Sequence, residues 1–468
     1  MKLQITPQNN PNQKVLQFGS AVMTLDDMSA STFVSGGSGA GKTTGPLKLA
    51  VKSIFRLGIG ALCTTAKVDD CERLLQYAKE TGRMDDVIVI DASGENGMNL
   101  IEYTLNLTPE GSSRSISMTE MFKIVREIFV TISQQQGEIF WENEQDRLLG
   151  HVLVLIDAAG ETVIAPLMLK VITSIPNSPE QLQNDSFLSS SECVRLLDIV
   201  LQSNNNDPEV LMAIDYFMNE VPLMADRTWS SILSGVLGII NRLVRGLFPR
   251  ILGRQETNVT PEMTYEQNKI IILNTPPAKY GEKQGAIIQS LYVYAFMQKM
   301  LQRNLHNNNN YVALICDEIQ TLLTSKFLQF VSLSRSSRII NLFGSQSISA
   351  CKVKIGGMQA NEILEAFIGN MRVKILMAHA EPNSNKYSAE LIGQRMQNRK
   401  GYHIGTGGGN VSANASEFMK YLVEPHEFMT LKNGGIRNNF ICEAYLTVTG
   451  RIFGKLPYMK VAFDQKAS

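Results

Sequence analysis

Apolar residues follow two rhythms along this chain, and the rhythm changes twice. In the first hundred residues, short apolar runs alternate with amphipathic stretches. TFV at 32–34, IGALCTT at 59–65 and VIVI at 87–90 read as buried strands. PLKLAVKSIF at 46–55 reads as a helix, and so does DDCERLLQYAKETG, which closes on Gly82. Residues 1–30 are polar and Asn/Gln-rich, and predict a lead-in hairpin. From about 117 to 250 the spacing turns helical. MTEMFKIVREIFVTI, NEQDRLLGHVLVLIDAAG, SECVRLLDIVLQ, PEVLMAIDYFMNEV and WSSILSGVLGIINRLVRG carry it, with a further helix at 165–175. SNNNDP and IPNSPEQLQND separate them. Strand rhythm returns in KIIILNTP at 269–276, YVALICDE at 311–318, RIINLFGSQS and MRVKILMAH. GAIIQSLYVYAFMQKMLQRNL is a long helix, and NNNN at 307–310 is a sharp polar break. GTGGGNVSANAS at 405–416 predicts a loop, and NFICEAYLTV and YMKVAF predict closing strands.

Strands alternating with helices predict an α/β sheet covered on both faces. The helical stretch predicts an inserted all-α domain. The expected division is 1–116, 117–255 and 256–468. Composition changes this picture little. The 468 residues are 44% hydrophobic and 19% charged, with 44 Lys+Arg against 44 Asp+Glu. A neutral chain gives no global basic signal for nucleic acid, so any such contact must come from local patches or from an assembled channel. KVKIGG and GQRMQNRKGYH are the candidate basic segments, and a solvated face explains them equally well. No run reaches the ~20 apolar residues of a membrane span, and MKLQITPQNNPNQK lacks the apolar core of a secretory leader. Six cysteines lie without C-x-x-C spacing and five histidines without H-E-x-x-H spacing. Neither pattern suggests zinc or a disulfide framework, and a reducing, cytoplasmic setting is expected.

Chemistry enters at VSGGSGAGKTT. Gly36 to Thr43 fits G-x-x-x-x-G-K-[ST], between an expected strand and an expected helix. Gly36, Gly37, Ser38, Gly39, Ala40, Gly41, Lys42, Thr43 and Thr44 form the candidate cradle. Its glycines let successive backbone N–H groups face an anion. Lys42 would reach the β- and γ-phosphates of ATP, and Thr43 would hold Mg²⁺. A metal-holding carboxylate is needed at the C-terminal end of a strand, and a strand beside the glycine loop's own strand is expected to supply it. YVALICDE offers Asp317 for the metal and Glu318 to polarise water. Asp91, after VIVI, ranks lower because no second acid stands beside it. Gln346, closing LFGSQ, is a candidate contact for the γ-phosphate or its water. Arg335 and Arg338 precede that strand, and either is a candidate to reach a neighbouring subunit's phosphates.

Together these motifs resemble the RecA-like motors of the FtsK/HerA branch, and most of all the coupling ATPases of type IV secretion and conjugation, the TraD/TraG/VirD group. FVSGGSGAGKTT and LICDEIQTL carry the two nucleotide segments. ALCTTAKVDDCERL looks like the family's Asp-x-Lys-Gly-Glu segment, of which only Lys67 is kept. VIVIDASGENGMNLIEY keeps Asn99 but has Leu100 where the family has proline. IFWENEQDRLL and DRTWSSILSGVLGII resemble the inserted helical domain. SLSRSSRIINLFGSQSIS resembles the arginine, strand and glutamine run, with Ser334 in place of the family's glycine. GNMRVKILMAH supplies Asn370, and EPHEFMTL resembles a late helix. The resemblance spans about 18–450. It implies a RecA-like P-loop NTPase fold and a homo-hexameric ring that hydrolyses ATP with Mg²⁺. Arg335 would complete each site in trans, and the ring would move DNA in conjugation, secretion or phage genome transfer. A relaxase, a secretion channel or a membrane protein would be its partner, at a membrane complex or a phage assembly. The family usually carries an N-terminal membrane anchor, and none is read here. Two alternatives stay open: an ATPase that secretes protein without gripping DNA, and a nucleotide-dependent scaffold that does not hydrolyse.

Overall fold

A computed structural model describes residues 6–19, 21–109, 111–133, 139–404 and 411–466. A hairpin of β1 (Lys14–Phe18) and β2 (Ala21–Thr24) leads in, joined by an antiparallel register from Lys14↔Thr24 to Phe18↔Ala21. Among the described residues the main sheet has nine strands. In chain order they are β3 (Thr32–Ser35), β4 (Gly60–Thr64), β5 (Val87–Ile90), β6 (Ile270–Leu273), β7 (Val312–Cys316), β8 (Ile339–Ser345), β9 (Val373–Leu376), β12 (Ile441–Val448) and β13 (Tyr458–Asp464). Between β9 and β12 lies a separate two-stranded ribbon, β10 (Gln394–Ile404) with β11 (Val411–Tyr421). Across the sheet the order is β13-β12-β9-β3-β8-β7-β4-β6-β5. The seven strands from β9 to β5 are parallel, and β12 pairs antiparallel to both β9 and β13. Parallel strands buried on both faces explain the nearly unbroken apolar runs IIIL and VALIC.

Successive residues of each strand face opposite sides, and the two sides bury different partners. Val34, Cys63, Ile272 and Leu342 pack with the lead-in hairpin and the helices Lys48–Arg56 and Asp70–Glu80. Phe33, Leu62, Ile271 and Phe343 face the other way. There they join one continuous core with the helical stretch, through the buried helix Ile287–Gln302. That stretch includes the helices Ile139–Ala158, Glu192–Gln202 and Asp226–Leu243, and adds no strand among its described residues. The helix Arg114–Ser133 runs across the 116/117 boundary expected from sequence.

Two sequence expectations change here. The strand that carries Asp317 does not neighbour the glycine-loop strand, because β8 lies between β3 and β7. The expected loop at 405–416 is partly strand: 411–416 open β11, while 405–410 lie outside the described residues. GQRMQNRKGYH forms most of β10, in an antiparallel register from Gln394↔Tyr421 to Ile404↔Val411.

Candidate functional site

Sheet order explains how the site comes together. β3 and β8 run in register, with Ser35 opposite Ser345. The chain leaving β3 then turns over the tip of β8, where Gly36 N–H donates to the Ser345 carbonyl at 3.1 Å. On the other side, Gly37 N–H donates to the Ala378 carbonyl at 2.8 Å, beyond the end of β9. Gly39 and Gly41 adopt φ of +76° and +87°, a region that disfavours other residues. Crossing β8 brings the loop to Asp317 at the end of β7. Gly344 leaves room for Asp317 against β8: a side-chain carbon there would lie 2.5 Å from the Asp317 carbonyl oxygen and 2.7 Å from Oδ1.

The helix after the loop begins earlier than its apolar pattern predicts. Thr43–Leu47 forms one wide π turn before the α-helix Lys48–Arg56. Pro46 sits inside that turn and has no N–H to donate. Leu47 N–H instead reaches back five residues to the Lys42 carbonyl at 3.1 Å. Lys42 and Thr43 are thereby aimed at β7. Lys42 Nζ lies 3.0 Å from Asp317 Oδ1 and 3.9 Å from Glu318 Oε1. Thr43 Oγ1 donates to Asp317 Oδ2 at 2.5 Å. Asp317 Oδ1 is buried and accepts no hydrogen bond, with the Lys42 ammonium beside it. A buried carboxylate oxygen in that state, next to a threonine hydroxyl, suits a hard divalent cation that takes oxygen ligands.

Glu318 is buried and held on both oxygens. Gln346 Nε2 donates to Oε1, and Gln320 Nε2 donates to Oε2 at 2.8 Å. Lys67 Nζ, half exposed, stands 3.6 Å from Oε1. Lys67, Arg73 and Gln346 line a cavity of about 400 Å³ that also includes Ser38, Lys42 and Thr44. A larger hollow, about 750 Å³, runs along the helix Asp226–Leu243 and contains none of the sequence-predicted residues.

Three candidates lie elsewhere. Asp91 follows β5 at the far edge of the sheet, and its carboxylate accepts from Ser93 N–H at 2.9 Å and Ser93 Oγ at 2.6 Å. Arg338 donates to the carbonyls of Asn9 at 3.1 Å and Asn309 at 2.9 Å, which ties it into the body of the chain. Arg335 precedes β8, whereas the glycine loop crosses the end of that seven-residue strand, roughly 20 Å away at ~3.3 Å per residue. Its side chain is 61% exposed and lies 3.7 Å from Asp26. It therefore does not serve its own chain's loop.

His379, which no spacing in the sequence singles out, stands directly behind the site. Its Nδ1 lies 3.1 Å from the Gln346 carbonyl and its Nε2 lies 2.9 Å from Ser35 Oγ. A carbonyl only accepts, so the proton is assigned to Nδ1, and Nε2 accepts from the serine. Burial lowers its pKa to about 4. Burial, and then Arg147, lowers that of His151 to about 4 as well. Unfolded histidine titrates near 6.5. Between these values the unfolded chain binds protons that the folded chain refuses, so stability present above about pH 6.5 is lost as pH falls toward 4. Each histidine contributes at most about 3 kcal/mol. Urea unfolding at pH 7 and pH 5 should show the loss, and His379→Gln should remove part of the slope. An identical slope in that variant would contradict this environment for His379.

Residues 311–433 match a family model described as the TraM recognition site of TraD and TraG. No curated protein sequence matches the chain. Among solved structures, the bacterial conjugative coupling protein TrwBdeltaN70 in an unbound monoclinic form aligns at TM-score 0.61 and 12% identity, over 98% of this chain and 90% of that one. The plasmid coupling protein TrwB with ADP and Mg²⁺ aligns at 0.60 and 12%, over 98% and 90%. TrwB with the non-hydrolysable GTP analogue GDPNP aligns at 0.60 and 11%, over 98% and 91%. The fold is that of the conjugative coupling proteins. Within this coupling-protein fold, a RecA-like P-loop sheet, the family match covers β7 to the segment after β11 and so includes Asp317, Glu318, Arg335 and Gln346. Among the described residues no helix is long and apolar enough to cross a membrane.

Proposed function

We propose that this chain is an ATP-hydrolysing coupling protein that moves DNA. The observation that carries the reading is the convergence of Lys42 Nζ and Thr43 Oγ1 on one carboxylate, Asp317, at 3.0 and 2.5 Å. The loop's N–H groups would cradle the phosphates of ATP, with Lys42 moving from Asp317 to the β- and γ-phosphates. Thr43 and Asp317 would hold Mg²⁺, directly or through water. The ion, when bound, would offset phosphate charge. Glu318 would orient and polarise the attacking water, and Gln346 would contact the γ-phosphate or that water. The likeness to TrwB, solved with ADP and Mg²⁺ and with a non-hydrolysable ATP analogue, supports this cofactor choice.

The proposed domains are a split nucleotide-binding unit, 1–116 with 256–468, and a helical insertion at 117–255. The proposed assembly is a homo-hexamer, in which Arg335 on the outer surface of one subunit faces the triphosphate of the next. A ring gathers scattered Lys and Arg into one channel, so a neutral chain can still grip phosphates independently of sequence. The family description supports a relaxosome-type protein partner docking within 311–433. Duplex DNA should raise the ATPase rate of the assembled protein several-fold. Stimulation by a secretion partner but not by DNA would favour the protein-secreting alternative. Absence of turnover under every condition would favour the scaffold.

A further inference from the structure

The tail of the chain closes one end of the nucleotide cavity. Just beyond β13, Gln465 makes four hydrogen bonds to three separate segments. Its Nε2 donates to Thr44 Oγ1 at 2.6 Å, and its Oε1 accepts from Gly435 N–H at 2.8 Å. Its backbone N–H donates to the Phe440 carbonyl at 2.9 Å, and its carbonyl accepts from Lys48 Nζ at 3.1 Å. One side chain thus fastens the turn Asn433–Gly435 to Thr44, the residue just past the glycine motif. Glycines flank it on both sides. A side-chain carbon at Gly434 would run into the Gln465 amide, and one at Gly41 would lie 2.9 Å from Nε2. Gly434 and Gly435 also adopt φ of +82° and +69°.

The ligand's direction in the cavity follows from the two ends. Glu318, Gln346 and Lys67 cluster together, and the γ-phosphate belongs with them. The opposite end of the phosphate chain leaves the cradle near Thr44, where Gln465 and the glycine turn stand. We infer that Asn433–Gly435 form the subsite for the ribose and base of the bound nucleotide, with Gln465 as its positioning residue. This rests on the reading of the glycine loop as a triphosphate site. Two successive glycines let a flat ring approach the backbone closely. The Gln465 amide is engaged on both its atoms, so it holds the turn rather than reading the base. Asn433, exposed and carrying an amide that is both donor and acceptor, lines the same cavity.

Calorimetric titration of the full chain with ADP and with inorganic tripolyphosphate separates this subsite from the cradle. Gln465→Ala should weaken ADP about tenfold, the loss expected for one or two hydrogen bonds, and tripolyphosphate less than about twofold. Asn433→Ala, at an exposed position that does not threaten folding, should weaken ADP about threefold and leave tripolyphosphate unchanged. Equal losses for both ligands, or unchanged ADP binding in both variants, would overturn the inference while leaving the triphosphate reading intact. A wild-type chain that binds neither ligand would remove both.

Discussion

Replacing Glu318 with glutamine is expected to lower ATP turnover by roughly 10² to 10⁴, the range assigned to a positioned general base. Nucleotide binding should persist. The amide has nearly the same shape, and the phosphate contacts proposed for Lys42 and the loop are untouched. Two features make this substitution a clean probe. Glu318 is buried behind Gln346, which lines the cavity, and both its oxygens accept amide donors, from Gln346 and Gln320. In the variant, one of those donors would face an amide N–H₂ in place of an oxygen, so Gln346 or Gln320 must rotate. A single-turnover measurement with ADP affinity run alongside separates the chemical step from binding. Turnover within about threefold of wild type would remove Glu318 from the catalytic role, whatever the fate of the nucleotide site.

Arg335→Ala should act through the assembly alone. A trans-acting arginine contributes about 10³ to 10⁵ to turnover where it has been measured in phosphoryl transfer. In this chain Arg335 lies before the start of β8, at the opposite end of the strands from its own loop, and its ion pair among the described residues is a long contact to Asp26 at 3.7 Å. Such an exposed pair is weak and is easily exchanged for a better anion. The substitution should therefore leave ADP affinity and thermal stability within error, and should abolish the rise in specific activity with protein concentration. Mixing Arg335→Ala with Glu318→Gln protomers should restore a fraction of activity, because each supplies what the other lacks. Unaltered concentration dependence in the single variant would reject the role.

Much of the fold is legible in the chain because buried parallel strands are short apolar runs between clear breaks. VIVI and VALIC coincide with β5 and with most of YVALICDE for that reason. Periodicity reports burial, however, and says nothing of which strands become neighbours. The position of β8 between β3 and β7 could not be read from it, and neither could the need for glycine at 344. The β10–β11 ribbon escaped notice because its opening residues, Gln394 to Asn398, are exposed on both faces and show no alternation. Within the site, Lys42, Thr43, Asp317 and Glu318 lie in motifs whose chemistry dictates residue type. His379 and Gln465 act through contacts between segments 344 and 421 positions apart, and no local pattern marks such a residue.

The helical stretch and one face of the nucleotide sheet share a single apolar interior, with Phe33 and Phe343 in the same cluster as Trp229 and Ile240. Close-packed interiors transmit displacement instead of absorbing it. A shift of β8 when Gln346, just past its end, changes partner would thus be felt directly beneath the helices. Excising those helices would strip the sheet's own floor, so the helical stretch and the sheet are expected to unfold together in a single transition.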